Sequence, residues 1–433
     1  MQTMIESING FRVWDSRGRP TVEVEVRLRG GACGTGMAPA GASRGRHEAV
    51  DLRDGGAVQG GYGVNRAVSN VNGDIRAALV GLDAADQARI DAILIELDGT
   101  PQLSRLGGNA VVATSMAVLK AASAAAGQPV WRHLSGGGPV SMPLPQIQIF
   151  GGGAHAGRRV DIQDFMVMPV AAHSFDEALS MCADIYRKAG DLMEQRGGRF
   201  GVADEGGWWP DFESNEQALE VLTSAIDQAG YGQGEALIAL DVAASEFGRD
   251  GRYKLALDER EYDTAGWLEV VCAWVERYPI MSIEDPVGED DAEGMQAFTR
   301  AMGRRLQIVG DDFLVTSAAR VDAAAAQGCC NAVLVKANQA GTISQALATV
   351  KAAQRARWGT VVSARSGETE DTLIAHLAVG WSAGQLKVGS FARSERMAKW
   401  NECLRIERSG LVPAADGNLA DRALPVPCRS VTA

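Results

Sequence analysis

Positive charge is scarce in this chain: 42 lysines and arginines face 54 aspartates and glutamates, a formal net charge of -12 over 433 residues. Such a surface repels nucleic acid and anionic membrane, and leaves only local basic pockets to take up a small anion. Lysine is scarcer still. Only seven of the basic residues are lysines, at positions 120, 188, 254, 336, 351, 387 and 399. With arginine as the default cation, a lysine at a site marks a place that needs a compact, deprotonable amine. Long apolar runs are missing too. No stretch approaches the roughly 20 apolar residues that span a bilayer. The N-terminus has neither the basic region nor the apolar run of a signal peptide, so a cytoplasmic location is expected. The seven cysteines show no CxxC spacing and no His/Cys cluster, which excludes the usual zinc frameworks. Their odd number and the adjacency of Cys329 and Cys330 argue against a disulfide scaffold.

What is present is ordinary material for a large core, with 46% hydrophobic and 22% charged residues. The length suits two domains, or one large barrel with an appendage. In "TVEVEVRL" (21–28), Val22, Val24, Val26 and Leu28 fall on one strand face, with Glu23, Glu25 and Arg27 on the other. The preceding "DSRGRP" is a turn, so 4–39 reads as an antiparallel meander. The glycine-rich "AGASRGRHEAV" (40–50) is too long for a tight hairpin and is a candidate functional loop. Three helical patterns fill 65–126. An α+β domain over 1–135 is expected.

From about residue 142, short apolar runs alternate with longer amphipathic segments: "EALIALD", "YPIMSIED", "RLQIVGDD", "NAVLVK", "GTVVSARS" and "GQLKVGS". At least six such units favour a closed β/α barrel, predicted here over 140–425. The tail after about 410 reads as irregular. Each run finishes on a polar residue: Asp241, Glu284, Asp311, Lys336, Arg365 and Lys387. In a parallel barrel the carboxyl ends of the strands share one face, so these six side chains are expected in one pocket. Three carboxylates together need a cation, and hard oxygen ligands suit Mg²⁺. A lysine beside a bound dication loses its proton more readily and can act as a base. Arg365, Ser366 and Lys387 would hold a phosphate or carboxylate.

"VWDSRGRPTVEVEV", "IELDGTPQLSRLGGNA", "DEGG", "IALDVAASEF", "SIEDP", "VGDDFLVT", "KANQAGT", "RSGETEDT", "AGQLKVGS" and "RSERMAKWN" resemble the enolase family, collinearly and along nearly the whole chain. The resemblance implies an α+β capping domain on a modified, TIM-like β/α barrel, two Mg²⁺ ions, a homodimer, and chemistry on a phosphorylated three-carbon acid. A lysine removes the proton next to a carboxylate, and Mg²⁺ stabilises the aci-carboxylate that results. Carried over by motif, the first metal falls to Asp241, Glu284 and Asp311 and the second to Ser43. Lys336 becomes the base, and Glu205 the acid that protonates the leaving hydroxyl. His155 lies on the substrate side. Lys387 serves the substrate carboxylate or its metal, Arg365 and Ser366 take the phosphate, and Gln163 joins the substrate-binding set.

Two departures fall together. Enolases carry a histidine where this chain has Ala364, and a glutamate partnering the acid where it has Asp164, one methylene shorter. Both lie on the side from which the hydroxyl leaves, where positioning is sensitive to shifts of about 1 Å. Family loops reading roughly "SGAST" and "NGGAHADNN" are here "AGASRGR" and "GGGAHAGRR", which brings in Arg44, Arg46, Arg158 and Arg159 and turns an asparagine into Gly151. Arg44 and Arg159 are expected at the pocket mouth, facing a larger anionic substrate. These features fit an enolase-like carboxyphosphonoenolpyruvate synthase, which joins a nucleotide-activated phosphonoformate to a phosphoenolpyruvate-like unit. The alternatives are an ordinary 2-phosphoglycerate hydratase and a non-catalytic binding protein on the same scaffold.

Overall fold

The computed structural model describes residues 2–198, 200–414 and 417–425. The chain opens with an antiparallel meander of β1 (Ile5–Trp14), β2 (Pro20–Leu28) and β3 (Cys33–Met37). Its first turn closes where Asp15 N donates to Arg19 O at 2.8 Å, within the "DSRGRP" turn. Val22, Val24, Val26 and Leu28 are fully buried, as the alternation predicts. They face the helix Gly108–Ala125, whose run of small residues lets the sheet approach its backbone. The glycines of β3 show how close that approach is. A Cβ on Gly36 would lie 2.3 Å from Ala113 O, and one on Gly34 would lie 2.3 Å from Ala117 O.

The helical stretch from 65 consists of three bodies: Asn65–Leu79, interrupted by a π turn at Val71–Ile75, then Gln87–Asp98 and Gly108–Ala125. None of the described helices is long and apolar enough to cross a membrane.

The second domain is a closed barrel. Its strands are β4 (Leu144–Gly151), β5 (Asp164–Met168), β6 (Leu237–Asp241), β10 (Ile280–Glu284), β11 (Gln307–Gly310), β12 (Ala332–Val335), β13 (Gly359–Ser363) and β14 (Gly384–Gly389), in cyclic chain order. A three-stranded sheet, β7 (Gly248–Arg249), β8 (Arg252–Leu255) and β9 (Arg260–Asp263), is inserted after β6. Strand β5 runs antiparallel to both β4 and β6, and every other pairing in the barrel is parallel. The fold is therefore a modified β/α barrel with an α+β cap, as the sequence led us to expect. The β5 reversal puts Asp164, its first residue, in register with Asp241, the last of β6, so two carboxylates share one end.

Near the other end the barrel is filled by a polar layer. Gln385 and Gln307 exchange side-chain hydrogen bonds at 2.7 and 2.9 Å, and Gln146 donates to Gln385 Oε1 at 2.8 Å. Gln385 Nε2 also donates to Ala423 O, so the C-terminal segment, predicted irregular but forming a short helix at Ala420–Ala423, plugs that end. The layer is buried yet mutually satisfied, which is the condition for amides in a core.

The close sheet–helix contact is testable. Gly36→Ala forces a Cβ onto a backbone oxygen and should destabilise the protein by about 1–3 kcal/mol, the usual range for overpacking. Gly73→Ala, where nothing lies within 4 Å of the new Cβ, should change little. Equal denaturant midpoints for the two variants would contradict this packing.

Candidate active site

The carboxyl ends of the barrel strands and the capping loop enclose one tight cleft. Its walls carry Ser43, His155, Gln163, Asp164, Glu205, Asp241, Lys336, Ala364, Arg365, Ser366 and Lys387. Space for the centre of a water-sized sphere amounts to about 20 Å³, little more than one water needs. Glu284 and Asp311 lie against the lysine tips that line it. Lys387 Nζ donates to Asp241 Oδ2 at 2.6 Å and to Glu284 Oε2 at 2.9 Å, and lies 3.4 Å from Asp164 Oδ2. Lys336 Nζ donates to Asp311 Oδ2 at 2.5 Å. The six strand-end residues thus meet as expected.

Two ammonium groups face four buried carboxylates here, and the titration behaviour follows. Burial and repulsion by Asp241 raise the Glu284 carboxyl well above its usual range. For Asp311 burial pushes upward, but Lys336 outweighs it and the net displacement is downward. Burial lowers the Lys336 amine, Asp311 raises it, and the balance is upward. While Asp311 faces it, Lys336 therefore stays protonated.

The anion side joins the two domains. Arg365 Nη1 donates to Glu48 Oε2 at 2.6 Å and Nη2 to Ser43 O at 2.8 Å, so the barrel arginine grips the capping loop. Ser366 Oγ accepts from Ala42 N at 2.6 Å and from Arg17 Nη1 at 3.2 Å. Beneath them the fully buried Arg396 donates to Arg365 O at 2.6 Å and to Ser366 O at 2.5 Å, fixing the strand exit. Glu48, Arg17 and Arg396 were not singled out from sequence. Glu48 lay inside the flagged glycine-rich loop and Arg396 inside "RSERMAKWN", so motif membership was the available signal.

The remaining wall holds Glu205, His155 and Asp164. His155 Nε2 lies 3.8 Å from Glu205 Oε1, and Nδ1 lies 3.5 Å from Asp164 Oδ1, an ion contact not aligned as a hydrogen bond. Burial lowers the imidazole, but Glu205 and then Asp164 raise it, and the net displacement is upward. Asp164 is pushed up by burial and pulled down further by Lys387 and His155. Gln148, also unforeseen, holds this group together. Its Nε2 donates to Asp164 Oδ1, and its Oε1 accepts from Gly207 N at 2.9 Å, in the turn that carries Glu205. Ala364 lines the same wall with only a methyl group, while its N donates to Lys387 O at 2.9 Å.

The added arginines are placed outside the cleft. Arg159 pairs with Asp211 at 2.5 Å, Arg158 with Glu246 at 2.5 Å and Arg46 with Glu289 at 2.7 Å. Arg44 is exposed and does not line the cleft. The acidic chain supplies a carboxylate near each of the first three, and pairing there is worth only about 0–1 kcal/mol.

Do these residues fit Mg²⁺? Glu284 Oε1 is buried without a hydrogen-bond partner, and the carboxylates outnumber the ammonium groups, both of which a dication would correct. Two acidic clusters among the described residues bring three ligand atoms within 4.8 Å of one another: Asp311 with Asp285 and Asp312, and His155 with Asp164 and Glu205. Asp285 is already engaged, accepting from Asp311 N at 2.9 Å and Asp312 N at 2.7 Å. Asp241, Glu284 and Asp311 are engaged as well, by lysine tips, but Glu284 Oε1 is left over, and three carboxylates with an unused oxygen are a donor set that suits the ion. Adding Mg²⁺ at 100 times its dissociation constant should stabilise the protein by about 2.7 kcal/mol. A Glu284→Gln, Asp311→Asn variant should show no such rise in melting temperature. An equal rise would place the ion elsewhere.

Comparison with known families agrees with this geometry. Residues 5–134 match the family model described as "Enolase, N-terminal domain", and residues 139–416 match "Enolase, C-terminal TIM barrel domain". The two matches leave only the chain ends and a short linker uncovered, so the protein belongs to the enolase family, whose members bind Mg²⁺.

Proposed function

We propose that this enolase-superfamily enzyme removes the proton next to the carboxylate of a phosphorylated three-carbon acid, and that its reaction parts from 2-phosphoglycerate dehydration on the leaving-group side. Ala364 carries the proposal. It presents a methyl group to the cleft between Arg365 and the strand bearing Lys387, where the family places an imidazole. Around it the base, the anion holders and the carboxylate set are all retained.

In this reading Lys336 takes the proton, and Arg365 with Ser366 orients the phosphate. Mg²⁺ held by Asp241, Glu284 and Asp311, with a second ion at Ser43, would supply positive charge to the substrate carboxylate. The gap at Ala364 and the loss of one proton-transferring group there suit departure or attack of something other than hydroxide. The chemistry proposed is carboxyphosphonoenolpyruvate synthase-type: an oxygen of the phosphoenolpyruvate-like unit bonds to the phosphorus of a nucleotide-activated phosphonoformate, and the phosphorus–oxygen bond to the nucleotide breaks, releasing the nucleoside monophosphate. One observation favours a second reading. Glu205, His155 and Asp164 still form a connected acid–base group, as ordinary dehydration would need.

Two assays separate the readings. Phosphoenolpyruvate formation from 2-phosphoglycerate should be about 10²–10⁴-fold slower than in a glycolytic enolase, the usual cost of one missing acid–base group. The Ala364→His, Asp164→Glu double variant should recover part of it. Phosphorus NMR of the enzyme with a phosphonoformate nucleotide and phosphoenolpyruvate or 2-phosphoglycerate should reveal phosphonoformate joined through a new phosphorus–oxygen bond to the three-carbon unit, with free nucleoside monophosphate. Wild-type dehydration at glycolytic rates, with no such product, would establish the ordinary hydratase.

A further inference from the structure

The cleft is tight even for the phosphorylated three-carbon acid, with free space of about 20 Å³, so room for a nucleotide is to be sought beside it. The turn Gly153–Ala156, which carries His155 into the cleft, has a groove against its Gly153 side. This groove measures about 560 Å³ on the same scale. It runs between the 153–161 loop and the β7–β8 hairpin. Four cations border it: Arg158, Arg249, Arg252 and Lys254.

Two of the four are already engaged. Arg158 lies 2.5 Å from Glu246 Oε2 and Arg252 lies 3.5 Å from Glu261 Oε1. Arg249 and Lys254 have no carboxylate within ion-pair distance among the described residues. Asp161, the other acid in the lining, is occupied by donors: Ala256 N at 2.8 Å, Leu257 N at 3.2 Å and Asn215 Nδ2 at 2.8 Å. Cationic character therefore prevails in a chain whose surface is otherwise acidic. The neighbouring cavity, which Arg249 also borders together with Arg46, is mainly acidic, bounded by Asp250, Glu289, Asp290 and Asp291.

The groove also has an aromatic wall. Phe247 is partly buried and held edge-on by Trp267 at 5.5 Å and Tyr253 at 6.4 Å. A fixed ring under a cationic rim is the chemistry that takes a planar base with a phosphate. We infer that this groove binds the nucleoside monophosphate portion of the second substrate, with the Gly153–Ala156 turn between it and the reacting atoms. The inference rests on the two-substrate reading above, but its site can be tested without turnover.

Titration calorimetry with each of the four ribonucleoside 5′-monophosphates, and with their phosphonoformate conjugates, should find one base that binds the Mg²⁺-loaded wild type. The Arg249→Ala, Lys254→Ala variant changes two exposed, unpaired side chains. It should bind that nucleotide about tenfold more weakly, with phosphoenolpyruvate binding unchanged. Added salt should weaken nucleotide binding, because the contacts are partly exposed. No nucleotide binding at millimolar concentration overturns the site, as does undiminished binding by the variant. Nucleotide binding that the variant weakens, without product in the NMR assay, keeps the groove and removes the proposed reaction. Turnover of the conjugate with an unaffected variant keeps the reaction and removes the groove.

Discussion

The site depends on a charge imbalance: Asp164, Asp241, Glu284 and Asp311, all nearly inaccessible, share Lys336 and Lys387. Buried carboxylates stay ionised only beside positive charge. Lys387, placed among three of them, is accordingly raised well above its ordinary range despite burial. The arrangement also explains why lysine appears here in an arginine-biased chain. A guanidinium is always protonated and broad, so it could neither sit among three carboxylates at one point nor act as a base. The same shortage of positive charge makes the position receptive to a dication.

Parallel topology makes that crowding possible. Asp241 and Glu284 end neighbouring strands in register, and Asp311 and Lys336 each follow directly on the next two strands. This convergence was legible in the sequence, because each apolar run stopped at a charged residue. The antiparallel entry of β5 was not foreseen, because the resemblance implied only a modified barrel and the four apolar residues after Asp164 look the same in either direction. The glycines of β3 read as a weak strand, and only the closeness of the helix backbone explains them. Gln148 and Glu48 were beyond reach for another reason. A polar side chain that serves a distant partner leaves no local periodicity, and these two bond across 16 and 317 positions.

The arginines mark the opposite limit. From sequence, Arg44, Arg46, Arg158 and Arg159 shared one signal, a cation in a glycine-rich loop, and that signal says nothing about where a long side chain points. Three of them found acidic neighbours on the surface. Arg365, by contrast, is buried between domains and held by Glu48 and by backbone, where the surrounding medium strengthens each bond. Gly41 is required beside it, since a Cβ there would lie 1.9 Å from the guanidinium. The capping loop is thus built around a barrel arginine, and the anion site exists only when both domains are in place.

This construction bears on how the leaving-group wall could change without loss of the rest. Ala364 keeps its place through the backbone, paired with β14, and Arg365 and Ser366 are fixed from below by Arg396. The side chain at 364 therefore contributes chemistry but little to the alignment of its neighbours. Asp164 differs, because its side chain is part of the charge balance around Lys387. A carboxylate had to remain there, and Gln148 spans from it to the Glu205 turn. The two departures sit side by side, yet one alters what the wall can do while the other preserves what the lysine needs.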